Sequence, residues 1–325
     1  MDELTPHDPL LTPLHLRKDL VASGWTDRAV SRAVARGDLA KVRWGAYVSR
    51  ASYDALDEAG RNGLRARAVV AQGGTDLVVS HASAVPFWGA PAWGLDLTDV
   101  HVTRPDRKAG RREAGVQQHR GKLLPGDTAT RGGLVVSSPT RLGLEMTTTG
   151  RAEAALCVVN DLLHRGLTTR EALETRYRAL GEDITEPMDH WPGTLTANIV
   201  LRLCDPRLES VGESRLLYLC WANGLPMPVP QYEVRDRWGR LVARVDFAWP
   251  DLGVFMEFDG KVKYTKLLRP GESVTDAVLR EKKREQEVCE ATGWRPVRVD
   301  WPDLERGPAT ARRIGAVLSP PPLSA

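Results

Sequence analysis

The hydrophobic and polar positions change period several times along the chain, and each change marks an element. Apolar residues recur at helical spacing over about 13 to 23, ending at Ser23-Gly24, and again from a Thr26 cap with Asp27 in the first turn to Gly37. LAKVRWGAYV then alternates as a short two-stranded hairpin. A helix near 61 to 72 leads into VVSHASAVPFWG, and strand-like runs follow at VHVT, VQQH and LVVSS. Helical spacing returns over 140 to 148, 151 to 164 and 168 to 180, the last with Thr168 and Thr169 as caps. Residues 181 to 194 are polar with two prolines and read as a linker. Beyond it the order is helix (195 to 204), helix (Ser210 to Asn223), three strands (229 to 236, 240 to 248, 253 to 260), a basic helix from Thr275 to a stop at Gly293, and a final strand in WRPVRVDW. The pattern predicts a multidomain α/β (α+β) chain: 1–58, a winged helix-turn-helix; 59–190, a middle α+β domain; 195–318, a core with a mixed central sheet flanked by helices; and 319–325, a proline-rich disordered tail.

Composition bounds the function classes without choosing one. Of 325 residues, 42% are hydrophobic and 27% charged, as in ordinary soluble proteins. The net charge of +3 is too mild to argue nucleic-acid binding, so only local clustering of charge can do so. No apolar run reaches the roughly 20 residues of a membrane span, and MDELTPHDPL is acidic where a secretory leader is basic. A cytoplasmic protein with no membrane partner is expected. Cys157, Cys204, Cys220 and Cys289 show no zinc spacing, so reduced, mostly buried thiols are expected.

Charge clusters in two places. Arg28, Arg32 and Arg36 recur at i, i+4 and i+8 on the second helix, and Lys41 and Arg43 lie on the hairpin. A recognition helix in a groove with a wing on phosphates is one reading, and a solvated arginine face on a module that grips protein is the other. At the other end, RVDFAWPDLGVFMEFDGKVKY carries Asp246 on one strand and Glu257, Asp259 and Lys261 on the next. Strand alternation puts Glu257, Asp259 and Lys261 on one face, and Val254, Met256 and Phe258 on the other, toward a core. Lys263, Lys266 and Arg269 follow in the loop, and Arg280, Lys282, Lys283 and Arg284 on the helix, with Tyr264 interleaved. The loop RPDRKAGRR reads as a solvated basic loop, and GKLLPGDT lacks the order of a phosphate-binding loop. His81 beside Ser80 and Ser83 has no visible acid partner, so packing or capping is expected of it.

Two resemblances follow. The segment from 10 to 165, through SHASAVPFWG and SSPTRLGLEM, resembles AbiEi-type antitoxin-like proteins, in which a winged helix can bind promoter DNA. The segment from 205 to 302 resembles the PD-(D/E)XK nucleases of the very-short-patch-repair-like branch, through GESRLL with Glu213, VDFAWP with Asp246, MEFDGK with Glu257, Asp259 and Lys261, and ATGWRPVRV. That resemblance implies a Mg2+-dependent endonuclease, with Mn2+ as substitute, in which Asp246 and Glu257 are metal ligands joined by Asp259, Glu213 reaches in from its helix, and Lys261 is the signature lysine. It departs from the usual pattern in one place. The lysine expected two residues after Glu257 is Asp259, so Lys261, Lys283 and Arg284 compete for the cation's role. The alternative is a DNA-binding regulator with a nuclease fold that no longer cuts. Oligomeric state, a protein partner, and the form of nucleic acid stay open.

Overall fold

The computed structural model describes residues 8–73, 77–105, 110–149, 151–181, 194–260 and 273–319. The linker expected at 181–194 and the tail at 319–325 fall almost wholly outside them. The chain is mixed α/β and divides into two units, Met1–Cys204 and Asp205–Ala325.

The first unit opens with a short extended segment, β1 (His15–Leu16), then α1 (Arg17–Ala22) and α2 (Asp27–Arg36). The predicted first helix is thus shorter at its start, because Leu16 pairs with β3 (Ala46–Ser49) and is buried there. α2 forms as its sequence dictates. The Thr26 hydroxyl accepts the Ala29 N–H, and Gly37 at φ 81° ends it in the left-handed conformation. Val30 and Ala33 are buried, which leaves Arg28, Arg32 and Arg36 exposed. β2 (Leu39–Arg43) turns back through Trp44 and Gly45 (φ 71°) into β3, completing an antiparallel sheet in the order β1-β3-β2. α3 (Arg50–Asp54) and α4 (Glu58–Gly73) follow, and Leu56, Leu64 and Ala68 close a core with Leu16, Val42 and Val48.

A six-stranded mixed sheet comes next, in the order β6 (Arg112–Glu113), β7 (Val116–Arg120), β5 (Val100–Arg104), β4 (Val78–Val79), β9 (Leu134–Ser137), β8 (Thr128–Arg131). β5 and β7 are parallel, as are β4 and β9. SHASAVPFW does not form a strand. It winds into a 3-10 segment, His81–Trp88, between β4 and β5. α5 (Pro139–Thr149), α6 (Ala152–His164), α7 (Arg170–Gly181) and α8 (Thr194–Leu203) complete the unit, with Thr169 Oγ1 accepting the Ala172 N–H at the start of α7. α8 corrects the reading that opened the C-terminal domain at 195: it packs on α5, α6 and α7, and the first unit ends at Cys204. Among the described residues no helix is long and apolar enough to cross a membrane.

The second unit is built from α9 (Val211–Ala222), β10 (Val229–Arg235), β11 (Leu241–Trp249), β12 (Val254–Asp259), α10 (Val274–Thr292), β13 (Arg295–Asp300), α11 (Trp301–Glu305) and α12 (Gly307–Leu318). The sheet order is β10-β11-β12-β13, antiparallel except for the parallel β12/β13 pair. One face packs Phe247, Val254, Met256, Phe258 and Val299 against Leu216, Cys220 and Ile314 of α9 and α12. The other packs Val245, Ala248 and Phe255 against Val288 of α10. α11 and α12 were not assigned from the sequence. Cys157, Cys204 and Cys220 are buried thiols, as expected, and Cys289 is a half-buried thiol.

Candidate active site

β11 and β12 come apart where their carboxylates begin. Their ladder runs Trp249↔Val254, Ala248↔Phe255 and Phe247↔Met256. One step further Asp246 and Glu257 fall opposite each other, and Asp246 Oδ2 accepts the Phe258 N–H at 2.8 Å. Asp246 and Glu257 are only 8% and 6% exposed. Alternation on β12 puts Glu257 and Asp259 on the α10 side of the sheet, as the sequence predicts, and Phe258 in the opposite core.

Glu213 enters from the first turn of α9. Ser210 caps that helix by accepting the Glu213 N–H at 3.1 Å, and its hydroxyl donates to Glu213 Oε1 at 2.6 Å. Glu213 Oε2 accepts the Glu209 N–H at 3.1 Å and the Gln231 side-chain amide at 2.8 Å. At 3% exposure, burial pushes the Glu213 carboxyl above the usual carboxylate range, and the Asp246 charge adds to the push. Gln231 was not singled out from the sequence. It has a φ of 51°, which L side chains rarely adopt, and that local bend aims its amide at Glu213.

Of the cations weighed for the site, Arg284 reaches it. Its Nη2 donates to Glu257 Oε1 at 2.8 Å and its Nη1 to the Arg244 carbonyl at 2.7 Å. Lys283 is exposed beside Glu287, 3.9 Å away, and Arg280 is exposed. Asp259 lies 3.7 Å from Arg298, whose Nε donates to Glu285 at 2.7 Å. Lys261, Lys263 and Lys266 lie outside the described residues. The carboxylates are not a tight all-protein cage. Among the described residues, the group of three ligating side chains within 4.8 Å of one another is instead His81, His101 and His119 in the first unit.

The basic residues near the N-terminus lie on α2 and β2. Arg28 and Arg32 are exposed, Arg36 pairs with Asp38 at 2.8 Å, and Arg43 is half-buried. Lys41 Nζ lies 4.8 Å from the ring centroid of Trp44, which is 81% exposed at the hairpin tip. A second exposed tryptophan, Trp238, stands on the β10–β11 turn with the Arg237 guanidinium 4.1 Å from its ring centroid. Neither tryptophan was singled out from the sequence. Exposed aromatics of this kind carry no helical or strand period that marks them.

No family model matches the chain. Two curated proteins of Mycobacterium tuberculosis, both described as uncharacterized, from strains CDC 1551 / Oshkosh and ATCC 25618 / H37Rv, are each 30% identical to it over 106 residues, covering 29% of this chain and 39% of theirs. The chain thus spans well under half the length of these relatives. Among solved structures, the crystal structure of the RV2827C protein from Mycobacterium tuberculosis is 17% identical, covers 58% of this chain and 71% of its own, and superposes with a TM-score of 0.38.

Proposed function

We propose that the second unit is a Mg2+-dependent endonuclease of the PD-(D/E)XK kind, with Mn2+ as substitute, and that DNA is its substrate. One observation carries the reading: Asp246 and Glu257 are buried at facing positions where β11 and β12 separate, with a third buried carboxylate, Glu213, beside Asp246. Buried carboxylates cost folding energy unless hydrogen bonds or a cation serve them. The donors are hard oxygens without histidine or cysteine, which suits Mg2+, and a site with one or two carboxylates and several waters is its usual mode. Asp246 and Glu257 would hold the ion and Asp259 would support it. When bound, the metal supplies polarisation of a phosphoryl oxygen and a more acidic water. The raised proton affinity of Glu213 would let its carboxylate hold a proton beside the site. Arg284, fixed between Glu257 and the Arg244 carbonyl, offsets charge that builds on the phosphate.

The first unit would bring the chain to DNA as a winged helix, with Arg28, Arg32 and Arg36 toward a groove, Lys41 and Arg43 on phosphates, and Trp44 against a base or sugar. Phage defence, repair and toxin–antitoxin systems are the settings that match this pairing. One observation favours the second reading, a regulator that no longer cuts: Arg284 already satisfies Glu257 with a charge. The deciding assay is cleavage of plasmid and single-stranded DNA with Mg2+, comparing the parent with Asp246→Ala and Glu257→Ala. Loss in both variants supports the site. Equal metal-dependent cleavage in all three removes it, and operator binding without any cleavage selects the regulator.

A further inference from the structure

Three histidines meet in the first unit from three separate segments. β5 and β7 are parallel, with His101 opposite Gln117 and His119 opposite Thr103, so His101 and His119 share one face of the sheet. His101 Nδ1 and His119 Nε2 are 2.8 Å apart. His81 opens the 3-10 segment at φ 52°, a strained backbone for a non-glycine residue, and its ring lies 3.7 Å from that of His119. One ligating nitrogen from each residue falls within 4.8 Å of the others.

The surroundings are those of a ligand shell. Ser80 Oγ lies 3.0 Å from His81 Nδ1 and accepts the Thr103 hydroxyl at 2.8 Å. The His81 backbone N–H donates to Glu145 Oε2 at 3.0 Å, and that carboxylate is held by Ser137 at 2.7 Å and Arg141 at 2.9 Å. The Ser80 hydroxyl on its ring nitrogen holds the His81 ring in place, as partners of metal-ligating rings do. Burial pushes all three imidazoles below their ordinary value, His119 to about 2. His101 and His119 are half-buried, which leaves the cluster open to solvent.

We propose that His81, His101 and His119 bind a borderline divalent transition metal of the zinc class. Three imidazole nitrogens suit Zn2+ and leave a fourth position for water, whereas Mg2+ prefers oxygen. Loading opens the His101–His119 hydrogen bond and turns a ring. The His81 and His119 rings are stacked at 19°, and a ring ligates in its own plane, so one of them turns as the ion enters.

The test uses the full chain, stripped with chelator and titrated with Co2+ and then Zn2+ in excess Mg2+. One Co2+ per chain is expected, with a visible d–d spectrum, no thiolate charge-transfer band, and displacement by Zn2+ but not by Mg2+. His119→Gln and His101→Gln each weaken binding more than about 100-fold, Ser80→Ala weakens it about 10-fold, and Asp246→Ala leaves it intact. A featureless spectrum without stoichiometric zinc, a thiolate band, or undiminished binding in the histidine variants overturns the proposal. Should a variant fail to fold by circular dichroism, the spectrum of the parent decides alone.

Discussion

Gly212 sets how closely α9 approaches β12, and therefore where Glu213 stands. A Cβ on Gly212 would lie 2.5 Å from Phe258 Cζ and nearer still to Cε1 and Cδ1. Carbon pairs settle at about 3.5–4.0 Å, so the helix or the ring must give by about 1 Å or more. The ring has little room, because Phe258 is buried and stands edge-on to Trp301 with centroids 5.1 Å apart. Forcing an extra methyl into such a core costs about 1–3 kcal/mol, and an immobile ring puts this site near the top of that range. The helix preference of alanine over glycine returns at most about 1 kcal/mol. Gly212→Ala should therefore destabilise the second unit by roughly 2 kcal/mol. It should also cut cleavage about 100-fold, because Glu213 is the next residue and moves with the backbone. Urea melts and plasmid cleavage measure the two effects. Phe258→Leu removes the ring edge, so the double variant should be more stable than the summed single costs by about 1 kcal/mol or more. Additive costs, or a Gly212→Ala protein that melts and cuts like the parent, would refute the reasoning.

The raised Glu213 pKa means that the fold penalises its ionised form. That penalty is complete above the folded pKa and absent below the unfolded one, so Glu213→Gln should raise the urea midpoint at pH 7, with the gain vanishing below about pH 4. A gain that persists unchanged in acid would contradict this. Arg284→Ala leaves Glu257 without its guanidinium. With Arg284 about a third exposed, the cost should be about 1–2 kcal/mol, less than for a fully buried pair. Added Mg2+ should recover more stability in this variant than in the parent, and equal recovery would argue against Glu257 as a ligand. Gln231→Gly should be more stable than Gln231→Ala by about 1 kcal/mol, since only glycine takes φ 51° without strain, and both should cut slowly. Full activity in the glycine variant would remove the amide from the site. Trp44→Ala should weaken single-strand binding by about 1–3 kcal/mol at unchanged salt dependence, whereas Arg32→Ala should lower the salt slope by about one, both read by fluorescence anisotropy.

Much of this was legible because local signals agreed. Thr26 and Gly37 bound α2 by their own chemistry, and the alternation of Val254, Met256 and Phe258 against Glu257 and Asp259 foretold which face of β12 is apolar. What was missed was either too short or too distant. β4 and β6 are two residues each, too few for a period to show. α8 was assigned to the wrong unit because periodicity marks a buried face without saying what covers it. α11 did carry a signal, an Asp300–Asp303 capping box with proline in its first turn, that went unread. The three histidines stand 20 and 18 residues apart, and only the parallel pairing of β5 with β7 brings two of them side by side.

β11 is released by both neighbours at the same residue. Toward β12 its ladder stops at Phe247↔Met256, and the Asp246 carboxylate takes a backbone N–H in place of a carbonyl. Toward β10 the pairs are Pro230↔Phe247 and Tyr232↔Val245, and Gln231, which falls opposite Asp246, leaves the ladder with a left-handed backbone. Such a conformation costs about 1–3 kcal/mol where glycine is absent. Burial of Glu213 beside Asp246 adds an electrostatic cost at the same point. A sheet selected only for stability would pair these strands through and place apolar side chains at 213 and 246. Broken pairing, a strained glutamine and buried carboxylates coincide at one place. That coincidence is the physical reason to look for chemistry at Asp246, and it stands independently of any resemblance.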